Sequence, residues 1–315
     1  MERNILLCYC GYVMMSKKII AFLTVAVLLA GFSVWKILLK PQPSIPFSDK
    51  MLVTASFYPL SFLAEQIGGN KVQVFNLTPA GAEPHEYEPT SRDIAEMENS
   101  SVLIMNGLGL EPWYENMKNN INPQKTSLVV AGEGLGDTNS KDPHVWLSPA
   151  LMNKMAEKIE AAFEKTDPKN EAYYRSNLQM LTEKLLILDG AYRTNLANCA
   201  QKTIITSHTA FGYMAKSYGF TQVSIAGLSP DSEPSPKAMG DIVNFAKTNR
   251  VKYIFFESLA SPKLSQTIAK ETGAKTLILN PLEGLTKKEI SEGKNYLSVM
   301  RENLTNLQTA LSCPI

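Results

Sequence analysis

The chain holds three histidines, His85, His144 and His208, each placed where a ring would be held still. His144 lies in KDPHVWLSP (Lys141 to Pro149), just after Pro143 and close to Trp146, in a segment too broken for a helix or a long strand. His85 lies in GAEPHEYEP (Gly81 to Pro89), again directly after a proline. His208 closes Ile204-Ile205-Thr206-Ser207, at the end of an apolar run. Prolines nearby lower the entropy lost when a metal fixes a ring. Neutral imidazoles suit zinc, with nitrogen about 2.0–2.1 Å from the ion. One such histidine is an ordinary hydrogen-bonded loop residue; three of three where strands end, facing one cleft, point to a metal. A closed site needs a fourth ligand, and two carboxylates offer one. Glu283, in NPLEGL (Asn280 to Leu285), has the same proline/glycine-bracketed setting as the histidines. Glu257 follows directly on the apolar Tyr253 to Phe256 and suits a carboxylate that orients a ligand ring.

The elements around these residues alternate. Strands are expected over Leu52–Phe57, Val72–Leu77, Ser101–Met105 and Ser127–Ala131, with helices over Pro59–Ile67 and Ser91–Met97. After residue 200 the alternation resumes: strands at Thr203–Thr206, Gln222–Ala226, Tyr253–Phe256 and Thr276–Leu279, helices at Phe211–Tyr218, Pro236–Thr248, Pro262–Thr272 and Asn295–Leu311. The strands are apolar rather than two-faced, which indicates buried parallel sheets. Between the two halves, Asp167-Pro168 is a helix-start signal. Tyr174, Leu178, Leu181, Leu185, Leu188, Tyr192 and Leu196 follow at spacings of three and four. That stripe indicates one helix of about 30 residues, roughly 45 Å long. The fold class is therefore α/β: two similar lobes with parallel sheets, 51–166 and 199–315, joined by a stiff helix over 167–198. Every histidine falls at the carboxyl end of a strand, the edge where open α/β sheets bind ligands. Two come from one lobe and one from the other, so they can meet in the cleft between lobes.

The N-terminus differs from the rest. Ile19 to Trp35 carries no charge, Ile37 to Leu39 extend it, and Lys17 and Lys18 precede it. Such a segment (1–40, with a Pro/Ser-rich tether over 41–50) is a retained membrane anchor or a cleaved export signal, with the anchor favoured. Both place the remainder outside the cytoplasm. Leu29-Ala30-Gly31 would form a lipoprotein box if a cysteine followed, but Phe32 does. Cys199 and Cys313 are the cysteines of the exported part, and an even pair in an oxidising compartment fits one bridge; two free thiols are the alternative. The net charge is +1, from 31 basic and 30 acidic residues, which gives no electrostatic footprint for nucleic acid.

The segments ASFYPLSFLAEQIGG, GAEPHEYEPTSRDI, NGLGLEPW, DPHVWLSP, TSHTAFGYMAKSYGF, SPDSEPSP, ESLASPKL and NPLEGLT cover nearly all of residues 51 to 311. Together they resemble the metal-binding receptors of ABC importers, in particular the zinc receptors of the cluster that also holds manganese receptors and adhesin lipoproteins. The resemblance implies two α/β lobes joined by a rigid helix, with a metal held between them by His85, His144, His208 and Glu283. It also implies delivery of Zn²⁺ to a permease with a cytoplasmic ATPase, by a receptor expected to act as a monomer. Manganese receptors of the cluster tend to carry a carboxylate where His208 stands, so zinc is favoured over manganese or a mixed site. Two departures stand out. Gly132 to Lys141 is short and lacks the histidines of the long loop found in many zinc receptors, and the lipoprotein cysteine is missing.

The chain has no GxxxxGK[ST] loop, so it is not the ATPase, and a single apolar segment does not make a permease. The rival class is a zinc hydrolase, with three histidines on the metal and a water in the fourth position. Glu283 on the metal would close that position. An adhesin role, described for some relatives, would sit beside metal binding rather than replace it.

Overall fold

The computed structural model describes residues 50–136 and 141–314. The expected N-terminal segment and tether lie outside them, and no helix among the described residues is long and apolar enough to cross a membrane.

The first half opens with β1 (Met51–Ala55), α1 (Tyr58–Gly68) and β2 (Val72–Asn76). Pro59 stands in the first turn of α1, where its missing N–H costs nothing. At the other end, a Cβ on Gly68 would fall 2.2 Å from a methyl of Val72, so only glycine lets the helix pass this close to β2. Then come α2 (Ser91–Asn99), β3 (Val102–Met105), α3 (Tyr114–Met117), β4 (Ser127–Val130) and α4 (Pro149–Thr166). Thr90 and Asp93 form a reciprocal capping box at the start of α2, and Asp93 also accepts from the Tyr87 hydroxyl at 2.7 Å. This box closes the loop that carries His85.

The second half holds β5 (Thr203–Thr206), α6 (Gly212–Tyr218), β6 (Thr221–Ser224), α7 (Pro236–Thr248) and β7 (Tyr253–Phe256). It ends with α8 (Lys263–Thr272), β8 (Lys275–Ile278), α9 (Lys287–Ser291) and α10 (Tyr296–Ala310). Two four-stranded sheets result, ordered β2-β1-β3-β4 and β6-β5-β7-β8, with every pairing parallel. The order reverses between β1 and β3 in one and between β5 and β7 in the other.

Between the sheets runs α5 (Glu171–Leu196), 26 residues or about 39 Å at 1.5 Å per residue. It is shorter than expected and starts later. Asp167 and Pro168 do not open it; Pro168–Asn170 form a separate 3-10 turn. The Asp167 carboxylate accepts from the Tyr174 hydroxyl at 2.6 Å and Asn170 Nδ2 at 2.7 Å, and caps no N–H of the helix. The buried face of α5 is the expected stripe, with Leu178 only half-buried. It bonds to both halves: Asn177 Nδ2 donates to Ile67 O at 2.8 Å, and Tyr192 donates to Met300 O at 2.6 Å. The preceding helix α4 was not expected. Its Met152, Met155, Ala156, Ile159 and Phe163 face inward at helical spacing and pack on α5.

One hydrophobic cluster runs from β1 and α1 through α4 and α5 to α10. Trp146 and Tyr296 lie fully buried within it. Burial of each large aromatic contributes up to about 3 kcal/mol, so the contact between the lobes is a core and not a loose hinge.

Candidate metal centre

Each candidate ligand stands in a loop that follows a strand, His208 and Glu283 soon after it and His85 and His144 farther along. The Pro84–Glu86 turn after β2 carries His85, and the Glu83 side chain caps it by accepting the His85 N–H at 3.3 Å. His144 precedes a 3-10 turn, Val145–Leu147, in the loop between β4 and α4. His208 lies two residues beyond β5, and Glu283 lies in the loop after β8. That last loop is fastened by Asn280. Its backbone N–H and carbonyl pair with the Asn303 amide at 2.9 and 2.7 Å, and its side chain accepts the Leu282 N–H at 2.8 Å. Leu282 takes φ of 58°, a left-handed conformation costing of order 1–3 kcal/mol outside glycine. This turn is over-determined by the buried Leu282 side chain and directs the next residue, Glu283, into the cleft.

The four side chains meet. His85 Nε2 lies 3.3 Å from His144 Nε2 and 3.3 Å from Glu283 Oε1. His144 Nε2 lies 3.0 Å from Glu283 Oε1, and His208 Nε2 lies 3.2 Å from His144 Nε2 and 3.1 Å from Glu283 Oε1. The edges of a zinc tetrahedron with 2.0–2.1 Å bonds are about 3.3–3.4 Å. The cluster is therefore of the right size for one small cation, with slight expansion. His144, His208 and Glu283 are fully buried, and only the His85 side chain, at 9% exposure, reaches solvent.

The outward nitrogens of His144 and His208 are held as a metal site requires. His144 Nδ1 lies 2.6 Å from Asp142 Oδ1, which also accepts the His144 N–H at 3.0 Å. His208 Nδ1 lies 2.8 Å from both oxygens of Glu257. A proton fixed on Nδ1 leaves the Nε2 lone pair facing inward. Asp142 was not singled out from the sequence; its position two residues before a histidine, ahead of Pro143, was the available signal. Glu257 lies behind His208 Nδ1, the place of an orienting carboxylate, whereas Glu283 Oε1 is the carboxylate oxygen that lies among the three Nε2 atoms.

Without a cation the cluster is a buried ion network. Burial opposes charge on His208, but Glu283 and Glu257 outweigh it and raise its pKa well above the usual value. His144 is likewise opposed by burial and raised by Asp142 and Glu283. Burial also opposes ionisation of Glu283, but His208 and the bonds from the three rings hold its carboxyl well below the usual range. Burial, and the Glu283 carboxylate beside it, push Glu83 up to about 9.

Contacts across the cleft fix these loops to one another. Trp146 Nε1 donates to Pro281 O at 2.8 Å, and the Tyr296 hydroxyl donates to Trp146 O at 2.7 Å. The Tyr213 hydroxyl donates to Asp142 O at 3.0 Å. Cys199 and Cys313 are joined as a disulfide at the far end of the second lobe, before β5 and after α10.

Comparison with known proteins agrees with this architecture. Residues 53–310 match the family described as the periplasmic component A of zinc-uptake complexes. The high-affinity zinc uptake system protein ZnuA of Bacillus subtilis (strain 168) is 39% identical over 281 residues, covering 84% of this chain and 88% of that protein. The zinc-binding protein AdcA of Streptococcus pyogenes serotype M1 is 35% identical over 321 residues, 93% of this chain, which spans only 61% of that longer protein. Among solved structures, the Zn(II)-bound ZnuA-like domain of Streptococcus pneumoniae AdcA superposes with a TM-score of 0.76 at 36% identity, covering 83% of this chain and 99% of that one. With its two parallel sheets, spine helix and cleft cluster, the chain belongs to the family of periplasmic zinc-uptake receptors, component A.

Proposed function

We propose that this chain captures Zn²⁺ outside the cytoplasm through His85, His144, His208 and Glu283 and delivers it to the permease of an ABC importer. The observation that carries the reading is the convergence of three Nε2 atoms and one carboxylate oxygen from both lobes, with two of the rings oriented by carboxylates behind them. Three nitrogens and one oxygen favour zinc over manganese, which relies more on oxygen ligands. Bound zinc with one carboxylate would carry a net charge of +1, and Glu283 in the fourth position leaves none for a substrate and its attacking water. This supports a receptor and not a hydrolase. The charge-free segment Ile19 to Trp35 behind Lys17 and Lys18 is the proposed membrane attachment.

The test is growth. In a strain lacking its own zinc receptor, with the cognate permease supplied, the parent chain should restore growth in zinc-depleted medium, and His144→Ala or His208→Ala should not. Rescue by both variants would refute the assignment. Turnover of ester or amide substrates by the zinc-loaded protein would support the hydrolase reading instead.

A further inference from the structure

Glu111 is a buried carboxylate, 7% exposed, that touches none of the four candidate ligands. It lies five residues past Asn106, the residue after β3. The intervening Gly107, Leu108 and Gly109 all take positive φ, at 76°, 59° and 83°. That turn folds the chain back and sets the carboxylate beneath the strand ends. Its Oε1 accepts from the Ser56 hydroxyl at 2.6 Å and the Asn106 N–H at 2.7 Å, and its Oε2 from the Gly107 N–H at 2.9 Å. Ser56 follows β1 and Asn106 follows β3. The carboxylate therefore bridges the two strand ends at the point where the sheet order reverses, the crevice around which ligand loops gather in open parallel sheets.

From each of these residues the bonding continues to a histidine loop. Asn106 Nδ2 donates to Pro143 O at 3.0 Å, the peptide directly before His144. The Ser56 carbonyl accepts from the Thr78 N–H at 3.1 Å and hydroxyl at 2.8 Å, where the loop bearing His85 begins. The other lobe has a carboxylate in the matching place: Glu257 follows β7 and holds His208, just past β5. Burial pushes the Glu111 carboxyl up, and the three bonds to the strand ends offset only part of that cost, and only at this place.

We propose that Glu111 is a positioning residue: through Asn106 and Ser56 it sets the spacing between the His85 and His144 loops, and so the geometry of the metal site. The inference rests on the metal-site reading above. In Glu111→Gln one donor-accepting oxygen becomes an amide nitrogen facing an N–H. Asn106→Ala removes only the bond to Pro143 and to Gly107 O and leaves Glu111 in place.

The experiment compares these variants of the full chain with Thr126→Ala, which loses a buried hydrogen bond to Ser100 O at the opposite end of the same sheet. Zinc affinity, the absorption spectrum of the Co²⁺-loaded protein and melting of the metal-free protein are measured for each. Glu111→Gln and Asn106→Ala should lose about tenfold in zinc affinity, the low end of what loss of a direct outer partner costs, and shift the cobalt bands. Thr126→Ala should lower melting and leave both metal readouts unchanged. If Glu111→Gln does not fold, Asn106→Ala decides. Parent-like zinc affinity and cobalt bands in these variants would overturn this inference alone. A parent chain that binds no zinc would sink the metal-site reading and this inference with it.

Discussion

Replacing Glu283 by alanine tests the fourth corner of the site against its nearest rival. The carboxylate is fully buried and faces all three rings, and its Oε1 lies 3.0–3.3 Å from each Nε2. Removing one partner of a buried ionic set costs about 3–5 kcal/mol, because the remaining charge is left uncompensated. At 1.4 kcal/mol per tenfold, the zinc dissociation constant should rise by roughly 100-fold to 4,000-fold, with the lower figure expected because water can fill the corner. Glu257 acts on His208 from behind, where loss of an orienting partner typically costs 10–100-fold. The Glu257→Gln loss should therefore be the smaller of the two. The metal-free protein gives a second readout. At neutral pH Glu283 faces imidazoles whose pKa values are raised, so Glu283→Ala should lower the melting temperature of the metal-free form, and less so at pH 9, where the rings are closer to neutral. Calorimetric titration with zinc, through a competing chelator, and thermal melts measure both effects. Parent-like zinc affinity in Glu283→Ala, with a large loss in Glu257→Gln, would show that the wrong carboxylate has been placed on the metal.

Zinc binding near pH 7 should release protons, because His144 and His208 are raised in the metal-free state and must be neutral to bind. Titration in buffers of different ionisation enthalpy counts them, and none released would contradict the network. The stability of the metal-free protein should follow the same groups. The raised histidines contribute in full below about pH 6.5, the unfolded value, and lose that contribution as pH rises through their folded pKa. Glu283, depressed, contributes above the usual carboxylate range and loses it in acid, so melting temperature without metal should decline on the alkaline side of neutral; a steady rise from pH 6.5 to 9 would refute this. Trp146→Phe removes the bond to Pro281 and should cost about 1–3 kcal/mol in chemical denaturation. Reduction of Cys199–Cys313, 114 residues apart, should destabilise by at most about 4–5 kcal/mol and leave zinc affinity nearly unchanged, since the bond lies away from the cleft. Equal denaturation curves with and without reductant would refute that estimate.

Much of this arrangement was legible in the sequence because each candidate ligand is marked by local chemistry. Prolines beside His85 and His144, and an apolar run ahead of His208, marked the three rings; only His208 sits directly at a strand end, the other two lying well along the loops after β2 and β4. The spine helix was visible in its stripe from Tyr174 to Leu196, since a helix buried on one side must repeat at three and four. Its start was misplaced because Asp167 bonds to side chains, which no start signal distinguishes from a true cap. Helix α4 was passed over although Ser148-Pro149 is a start signal of the same kind. What could not be read was pairing over distance. Asp142 behind His144, Trp146 on Pro281, and Glu111 between Ser56 and Asn106 all depend on where two strand ends lie in space. Sequence spacing fixes which residues are near a strand end, but not which ends are neighbours.

The central claim, one zinc ion held by three histidines and Glu283 between the lobes, is tested most directly by metal analysis after competition. Metal-stripped protein is loaded with zinc, challenged with a large excess of manganese, separated from free metal and measured for both ions. The account expects one zinc per chain in the parent, undisplaced by manganese, and almost none in a His144→Ala, His208→Ala double variant that still melts cooperatively. Full zinc loading of that variant, or replacement of zinc by manganese in the parent, would contradict it.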